Sequence, residues 1–346
     1  MANVPLCERL IGTYGFSDKP MAPPPSESRS EGIQFELTTG CNHGRCTFCD
    51  MYSQIGYNEK SIEEFSRHVN LVLDFVAKER QAKYAFMRPR IFIGAGNALS
   101  VDNKKFIEAC QTIIQALYDK EFFTRTVRLS TYGRVKDVLG KGEEYMSRFK
   151  NVDHDKRGRI SEKIVYVGLE SGSNNVLRII NKGNTQDEAV KAGEILRWTS
   201  IGNSTMVMPG LGGMANFEDH VRETARVLNE TRPFWVTFMG LDVKKGTPYE
   251  TWIKRQEQLN QNRNLTPYEI VEQTAQIIEQ LDFPTNIGIY GDDIHEGLCR
   301  NPINLPRRKI YERIGTMGAP SSQNLAKELR SLLRRSKLKS PIKTKL

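Results

Sequence analysis

Six short apolar runs alternate with helix-forming stretches between residues 33 and 241, and this alternation leaves the chain very few folds to choose from. The runs are Ile33–Thr38, Arg90–Ile93, Thr126–Ser130, Lys163–Leu169, Ser204–Met208 and Trp235–Leu241. Their brevity and β-branched content suit strands buried on both faces. The intervening helices announce their own starts. Ser61-x-x-Glu64, Thr185-x-x-Glu188 and Asn216-x-x-Asp219 each place a capping oxygen three residues before an acid. Behind the first of these, Ile62, Phe65, Val69, Val72 and Val76 make one apolar face. Strands separated by helices pair in parallel through right-handed crossovers, so the series opens into a doubly wound sheet or curls toward a barrel.

In either form, function gathers at the carboxyl ends of the strands. Glycine, polar or cysteine residues stand at all six. In order they are the loop from Cys41, Gly94-Ala-Gly-Asn97, Thr131-Tyr-Gly-Arg134, Glu170-Ser-Gly172, Pro209-Gly-Leu-Gly-Gly213 and Asp242-Val-Lys-Lys-Gly-Thr-Pro248. Beyond Pro248 two more helices are expected, the second opened by Thr266-x-x-Glu269, and then a strand from Asn286 running into Gly-Asp-Asp-Ile-His295. This C-terminal extension is placed to cover one opening of a barrel. Gly140–Glu162 reads as a long charged connection. Its Asp153-His-Asp155 is not a calcium loop, because Arg157 and Ile164 stand where oxygen ligands are needed.

The first strand end carries Cys41-Asn-His-Gly-Arg-Cys46-Thr-Phe-Cys49. Three thiols this close together hold a metal more readily than they cross-link, and they suit zinc or an iron–sulfur cluster. Zinc wants a fourth ligand, for which His43 is the only neighbour in the loop. A cluster held by three thiolates uses all three cysteines and leaves one iron open for chemistry. Cys7, Cys110 and Cys299 show no framework spacing, and Cys110 lies on an amphipathic helix as a core thiol would. Unpaired cysteines suit a reducing compartment.

Composition is that of a globular protein, 38% hydrophobic and 26% charged over 346 residues. No apolar run approaches the roughly 20 residues needed to span a bilayer. The N-terminus lacks the basic start and apolar core of a signal peptide, so a cytoplasmic protein without membrane attachment is expected. The net charge of +9 sits in one place: residues from Lys327 onward contribute +7, and the other 326 residues only +2. That tail is read as a solvated terminus, with RNA or another anionic surface as its alternative partner.

The cysteine loop resembles the cluster motif of the radical S-adenosylmethionine (radical SAM) superfamily, with one residue more between Cys41 and Cys46 and with Phe48 in the aromatic place before the last cysteine. The resemblance extends over about residues 32–248. Gly168-Leu-Glu-Ser-Gly-Ser-Asn-Asn-Val-Leu, Asn181-Lys-Gly, Met208-Pro-Gly-Leu-Gly-Gly and Gly246-Thr-Pro-Tyr are similar to the branch holding coproporphyrinogen dehydrogenase, the methylthiotransferases and the Elongator-type catalytic subunit. It implies an α/β fold, a partial (β/α)6 TIM-like barrel over 32–248 with a C-terminal α/β extension over 249–318. A flexible lead-in (1–31) and a basic tail (319–346) flank them. It also implies a [4Fe–4S] cluster on Cys41, Cys46 and Cys49, and S-adenosylmethionine (SAM) on the open iron. Phe48 would lie beside the adenine, and Met208 and Gly210 would offer it backbone. Gly94, Gly96 and Asn97 would meet the methionine amino group, with Asn97 in place of the usual acid. Glu170 would bond SAM polar groups, often the ribose, and Lys182 the carboxylate. Alternatively, Glu170 caps the next helix and Lys182 is an ordinary helix-end cation. Candidate substrate contacts are Tyr132, Arg134, Asp242, Asp292, Asp293 and His295, while His220 is read as structural or solvated.

The function so implied is reductive cleavage of SAM to a 5′-deoxyadenosyl radical. Its expected partners are a small-molecule substrate and a flavodoxin- or ferredoxin-type electron donor. A small-molecule reaction such as C–C bond formation or rearrangement is favoured over tRNA methylthiolation. The competing reading is a noncatalytic iron–sulfur or zinc protein that binds RNA through its basic tail.

Overall fold

Alternation along β1 (Gly32–Glu36) sends Ile33 and Phe35 to one face and Gln34 and Glu36 to the other. The computed structural model describes residues 32–52, 55–78, 90–120, 128–153, 160, 162–289, 310–314 and 322–335. They fall into two units, one taking residues up to 44, 51–167 and 195–202, the other 45–50, 168–194 and those from 203 onward.

In the first unit β1, β4 (Arg90–Gly94), β5 (Arg128–Gly133) and β6 (Glu162–Glu170) run parallel, with Gln34 level with Phe92, Phe92 with Ser130 and Ser130 with Ile164. The short β2 (Thr38–Thr39) and β3 (Asn58–Glu59) pair antiparallel beside them. The Ile62–Lys78 helix buries Phe65, Val69, Val72 and Val76, four of the five positions on its expected face. Each such side chain contributes about 1.5–3 kcal/mol by leaving water. Phe35 meets that helix edge-on at His68, whose Nε2 accepts the Glu36 N–H at 2.9 Å. On the opposite face Phe92 and Tyr132 stack edge-to-face at 4.9 Å, with Tyr166 6.1 Å from each. Asp153 is buried and its carboxylate is taken by Lys163 and by the Ile160 N–H, so it is not held for calcium.

In the second unit β7 (Gly202–Val207), β8 (Trp235–Phe238) and β9 (Thr285–Ile289) run parallel, with Ser204 level with Trp235 and Trp235 with Asn286. A further strand, β10 (Ile310–Ile314), pairs antiparallel to β9. The mixed α/β class and the succession of parallel strands and helices are as expected of a partial TIM-like fold. No helix among the described residues is long and apolar enough to cross a membrane.

Several expectations are corrected. Gly140–Glu162 is no open connection, because Val135–Lys150 is helical with a kink at Gly142. Asn216 does not cap the following helix; its amide donates to the Gly212 carbonyl at 2.7 Å instead, and Asp219 is taken by Ser173 and Arg222. The other three boxes form as expected, at Ser61/Glu64, Thr185/Glu188 and Thr266/Glu269. Part of the basic tail is ordered: Ser322–Arg335 is a helix that packs on the Pro267–Glu279 helix and buries Leu325, Ala326 and Leu329. Arg330 reaches Glu272 and Glu279, each at 2.9 Å, so a cation counted as solvated serves the fold. The lead-in, Cys7, Cys299 and the last eleven residues lie outside the described residues.

His220 is structural and not solvated. It is fully buried in the Phe217–Thr231 helix, and neither ring nitrogen has a hydrogen-bond partner. Burial lowers its pKa to about 4, against a small opposing pull from Asp219. The unfolded chain therefore takes up a proton near pH 6.5 that the native state refuses until about pH 4. Stability is unaffected by this group above pH 6.5 and falls as pH drops through that window, by on the order of 3 kcal/mol. Denaturant melts of the wild type and of His220→Leu between pH 7 and pH 4 should show this slope in the first and its loss in the second.

Candidate functional site

In the first unit the chain leaves β1 toward Cys41 along the turn that follows β4. The Ala95 N–H bonds the Thr38 carbonyl at 2.9 Å and the Asn97 N–H bonds the Gly40 carbonyl at 3.3 Å. Gly96 is required by this approach, since a Cβ there would stand 1.9 Å from the Gly40 oxygen. Gly94 is packed less severely, against the Phe92 ring and Gln34 Nε2. Cys41 is half-buried, and its thiol lies 4.0 Å from Asn42 Oδ1. That same oxygen accepts from Asn97 Nδ2 at 2.9 Å, and Asn97 Nδ2 also donates to Asp137 Oδ2 at 2.6 Å. Asn97 is buried and its Oδ1 has no hydrogen-bond partner. Asp137 lies one turn into the Val135–Lys150 helix and also accepts the Arg134 N–H at 2.8 Å. The expected chain segments thus meet here, joined by an acid the sequence reading passed over. Asp137 has the look of an ordinary capping acid, three residues after the strand-end Arg134, and that disguise is why it was missed.

In the second unit Cys46 and Cys49 are the ends of one turn, closed by the Cys49 N–H on the Cys46 carbonyl at 3.2 Å. Thr47 fixes the turn in place. Its N–H bonds the Ile180 carbonyl at 2.9 Å, its hydroxyl the Ile179 carbonyl at 3.2 Å, and its own carbonyl accepts the Tyr249 N–H at 3.0 Å. Asn181 adds a bond to the Arg45 carbonyl at 3.1 Å. Phe48 and Met208 pack against one apolar cluster that includes Val176, Leu177, Leu211 and Tyr249. The Met208 and Gly210 N–H groups are already engaged, by the Glu170 carbonyl and by Gln273 Oε1. The Met208 and Gly210 carbonyls each accept one N–H, from Leu211 at 3.5 Å and Gly213 at 3.2 Å, and a carbonyl oxygen can accept a second.

Glu170 ends β6 in the left-handed region, at φ +64°, a conformation that strains a residue with a side chain. It does not cap the next helix. Ser173 does that, accepting the Val176 N–H. Glu170 Oε1 instead takes the Lys182 ammonium at 2.7 Å, with both side chains buried, and Oε2 is buried with no partner. Gly168 makes room for the pair, because a Cβ there would lie 2.6 Å from the Glu170 carboxylate and 2.9 Å from Lys182 Nζ. Gly172 lies against backbone of the Phe217–Thr231 helix, where its N–H bonds Thr224 Oγ1 at 2.9 Å.

The substrate candidates are placed less tightly. Tyr132 is half-buried in the aromatic trio, and Arg134 opens the next helix with its backbone. Asp242 forms a half-buried pair with Lys244 at 2.6 Å. Asp292, Asp293 and His295 lie outside the described residues. Cys110 is fully buried, and burial pushes its thiol far above the ordinary range, as befits a core residue.

Among the described residues no three His, Cys, Asp or Glu side chains already stand at metal-binding spacing. The donor set nevertheless fits iron–sulfur chemistry. Three half-buried thiols lie within nine residues and none is in a disulfide. Each unit also presents an unsatisfied buried oxygen suited to a polar ligand: Asn97 Oδ1 in the first, Glu170 Oε2 in the second.

A family model, the radical SAM superfamily, matches residues 35–228, more than half the chain. No curated protein sequence matches. Among solved structures, the cobalamin-dependent S-adenosylmethionine radical enzyme OxsB is 15% identical over 73% of this chain and 44% of its own, with a TM-score of 0.49. The archaeal Methanocaldococcus infernus Elp3 is 14% identical over 62% and 50%, with a TM-score of 0.45. Methylornithine synthase (PylB) is 14% identical over 72% and 63%, with a TM-score of 0.45. This chain spans less than two thirds of each of them.

Proposed function

The chain belongs to the radical SAM superfamily, and we propose that Cys41, Cys46 and Cys49 hold its [4Fe–4S] cluster for the reductive cleavage of SAM. Cluster and SAM together supply one-electron scission of a sulfonium C–S bond, releasing methionine and a 5′-deoxyadenosyl radical. The chain's own residues bind and orient. The Cys46–Cys49 turn is stapled by Thr47 and Asn181, which suits it to fix two thiolates. Phe48 and the Met208–Gly210 carbonyls offer an apolar surface and acceptors to the adenine and its amino group. Glu170 Oε2 offers an acceptor to a ribose hydroxyl, while Lys182 offers a cation to the methionine carboxylate. Gly94, Gly96 and Asn97 keep the amino-group side, where Gly96 allows the close backbone approach.

The single observation that carries the reading is the three-thiol loop inside a family match that covers strands, helices and the Glu170 turn. The substrate is proposed to be a small organic molecule undergoing C–C bond formation or rearrangement. Phe92, Tyr132 and Tyr166 share one sheet face and would give such a molecule an aromatic surface, with Arg134 of the same unit as a polar contact. An oxygen-labile cluster and thiols outside any disulfide favour a reducing cytoplasm and a flavodoxin- or ferredoxin-type electron donor. The RNA-binding alternative loses support from Arg330, which is held by Glu272 and Glu279.

Anaerobic reconstitution should give about four iron and four sulfide per chain. Reduction with dithionite in the presence of SAM should then release 5′-deoxyadenosine. An intact cluster that releases no cleavage product of SAM would favour the noncatalytic reading.

A further inference from the structure

We propose that Tyr249 is a positioning residue that ties the cysteine turn to the glycine turn after β7, and so sets the separation at which the two ends of SAM are held. The inference rests on the function proposed above, with the cluster on the Cys46–Cys49 turn and the adenine at Met208–Gly210. It adds a residue from the helix Pro248–Gln258. Both turns and this helix belong to the second unit. The Tyr249 N–H bonds the Thr47 carbonyl at 3.0 Å, between the two cysteines. At the far end of the same residue, the hydroxyl accepts the Gly212 N–H at 3.0 Å. The ring between these two bonds is 1% exposed, packed with Val176, Leu177 and Leu211, and the Trp252 ring lies 5.3 Å away. One locked side chain therefore bridges the two turns.

Core packing alone does not call for a tyrosine here. Phenylalanine would fill the same space without burying a hydroxyl, so the use of the hydroxyl lies in the bond it makes. Burial raises the pKa of the phenol, which keeps it neutral. Gly212 is a fitting anchor for that bond. It sits in the left-handed region at φ +84°, where a Cβ would lie 2.8 Å from the Val176 side chain. It is also gripped from its other side, since Asn262 Nδ2 donates to the Gly212 carbonyl at 2.7 Å and Asn262 Oδ1 accepts the Ala215 N–H at 2.8 Å. The glycine turn thus hangs from the helix Pro248–Gln258 and the loop that leaves it, while the first turn of that helix is fixed to Thr47. A shift of the glycine turn would move the nucleoside against the cluster, and cleavage depends on holding the reacting bond in one geometry.

The test compares SAM with free methionine, which has the iron-binding groups and no nucleoside, on cluster-loaded wild type and Tyr249→Phe. The variant keeps the ring and the backbone bond to Thr47, and iron analysis and thermal melts check cluster and fold. The kcat/KM for release of 5′-deoxyadenosine should fall roughly 10- to 100-fold. Titrations followed by electron paramagnetic resonance of the reduced cluster should show SAM bound more weakly and methionine bound as in the wild type. Asn262→Ala, which releases the Gly212 carbonyl, should show the same selectivity and carries the test if Tyr249→Phe does not fold. Equal weakening of SAM and methionine, or of neither, would overturn the positioning role. Wild-type protein that keeps its cluster and releases no cleavage product of SAM would overturn the proposed function, and this inference with it.

Discussion

Serine at any one of Cys41, Cys46 or Cys49 is expected to reduce reconstituted iron from about four per chain to adventitious levels and SAM cleavage to background. The effect is all-or-none because, among the described residues, the one thiol outside the loop is buried in the core. Among the remaining cysteines Cys110 is fully buried in the helix Asn103–Asp119, and its thiol is held protonated by desolvation. Cys110→Ala is therefore the matched control. It removes a sulfur and costs core packing, yet should leave iron content intact. Iron and sulfide analysis with the charge-transfer absorbance of each variant makes the measurement. Wild-type iron content in all three serine variants would show that the loop is not the cluster site. A selective loss on removing His43 as well would point to a four-ligand zinc-type site.

The second large effect concerns the Glu170–Lys182 pair. Replacing Lys182 with Met leaves a carboxylate that is buried, strained at φ +64° and uncompensated. Removing one partner of a buried pair costs about 3–5 kcal/mol. Denaturant unfolding should find Lys182→Met destabilised by that order, and the double variant Lys182→Met/Glu170→Gln should recover much of the loss because no charge is then stranded. A variant as stable as the wild type would mean the pair is open to water. Gly168 cannot be enlarged without the same damage, since a Cβ there would press on both members.

The parallel strands, the apolar face of Ile62–Lys78 and three of four capping boxes were legible because each rests on local chemistry: period, burial and an oxygen three residues before an acid. Asn216 failed for a reason outside its own segment. Gly212 and Arg263 bring carbonyls to the turn, and the Asn216 amide answers one of them while the Met214 N–H answers the other. The helix Ser322–Arg335 was hidden by its charge, because the glutamates that receive Arg330 lie 51 and 58 residues earlier. At the site, the cysteines, glycines and Glu170 were visible as motif. What spacing could not give was pairing: that Glu170 holds Lys182, and that Asp137 holds Asn97 across 40 residues. Composition hints at neither, since both acids are of a common type at helix starts.

The account turns on an iron that the chain itself does not ligate. Electron paramagnetic resonance of the reduced, reconstituted protein tests this directly when recorded with and without SAM labelled with nitrogen-15 at its amino group. A changed cluster spectrum with a hyperfine coupling from the labelled nitrogen is the predicted result. A spectrum untouched by SAM, from a cluster with full iron content, would contradict the account at its base.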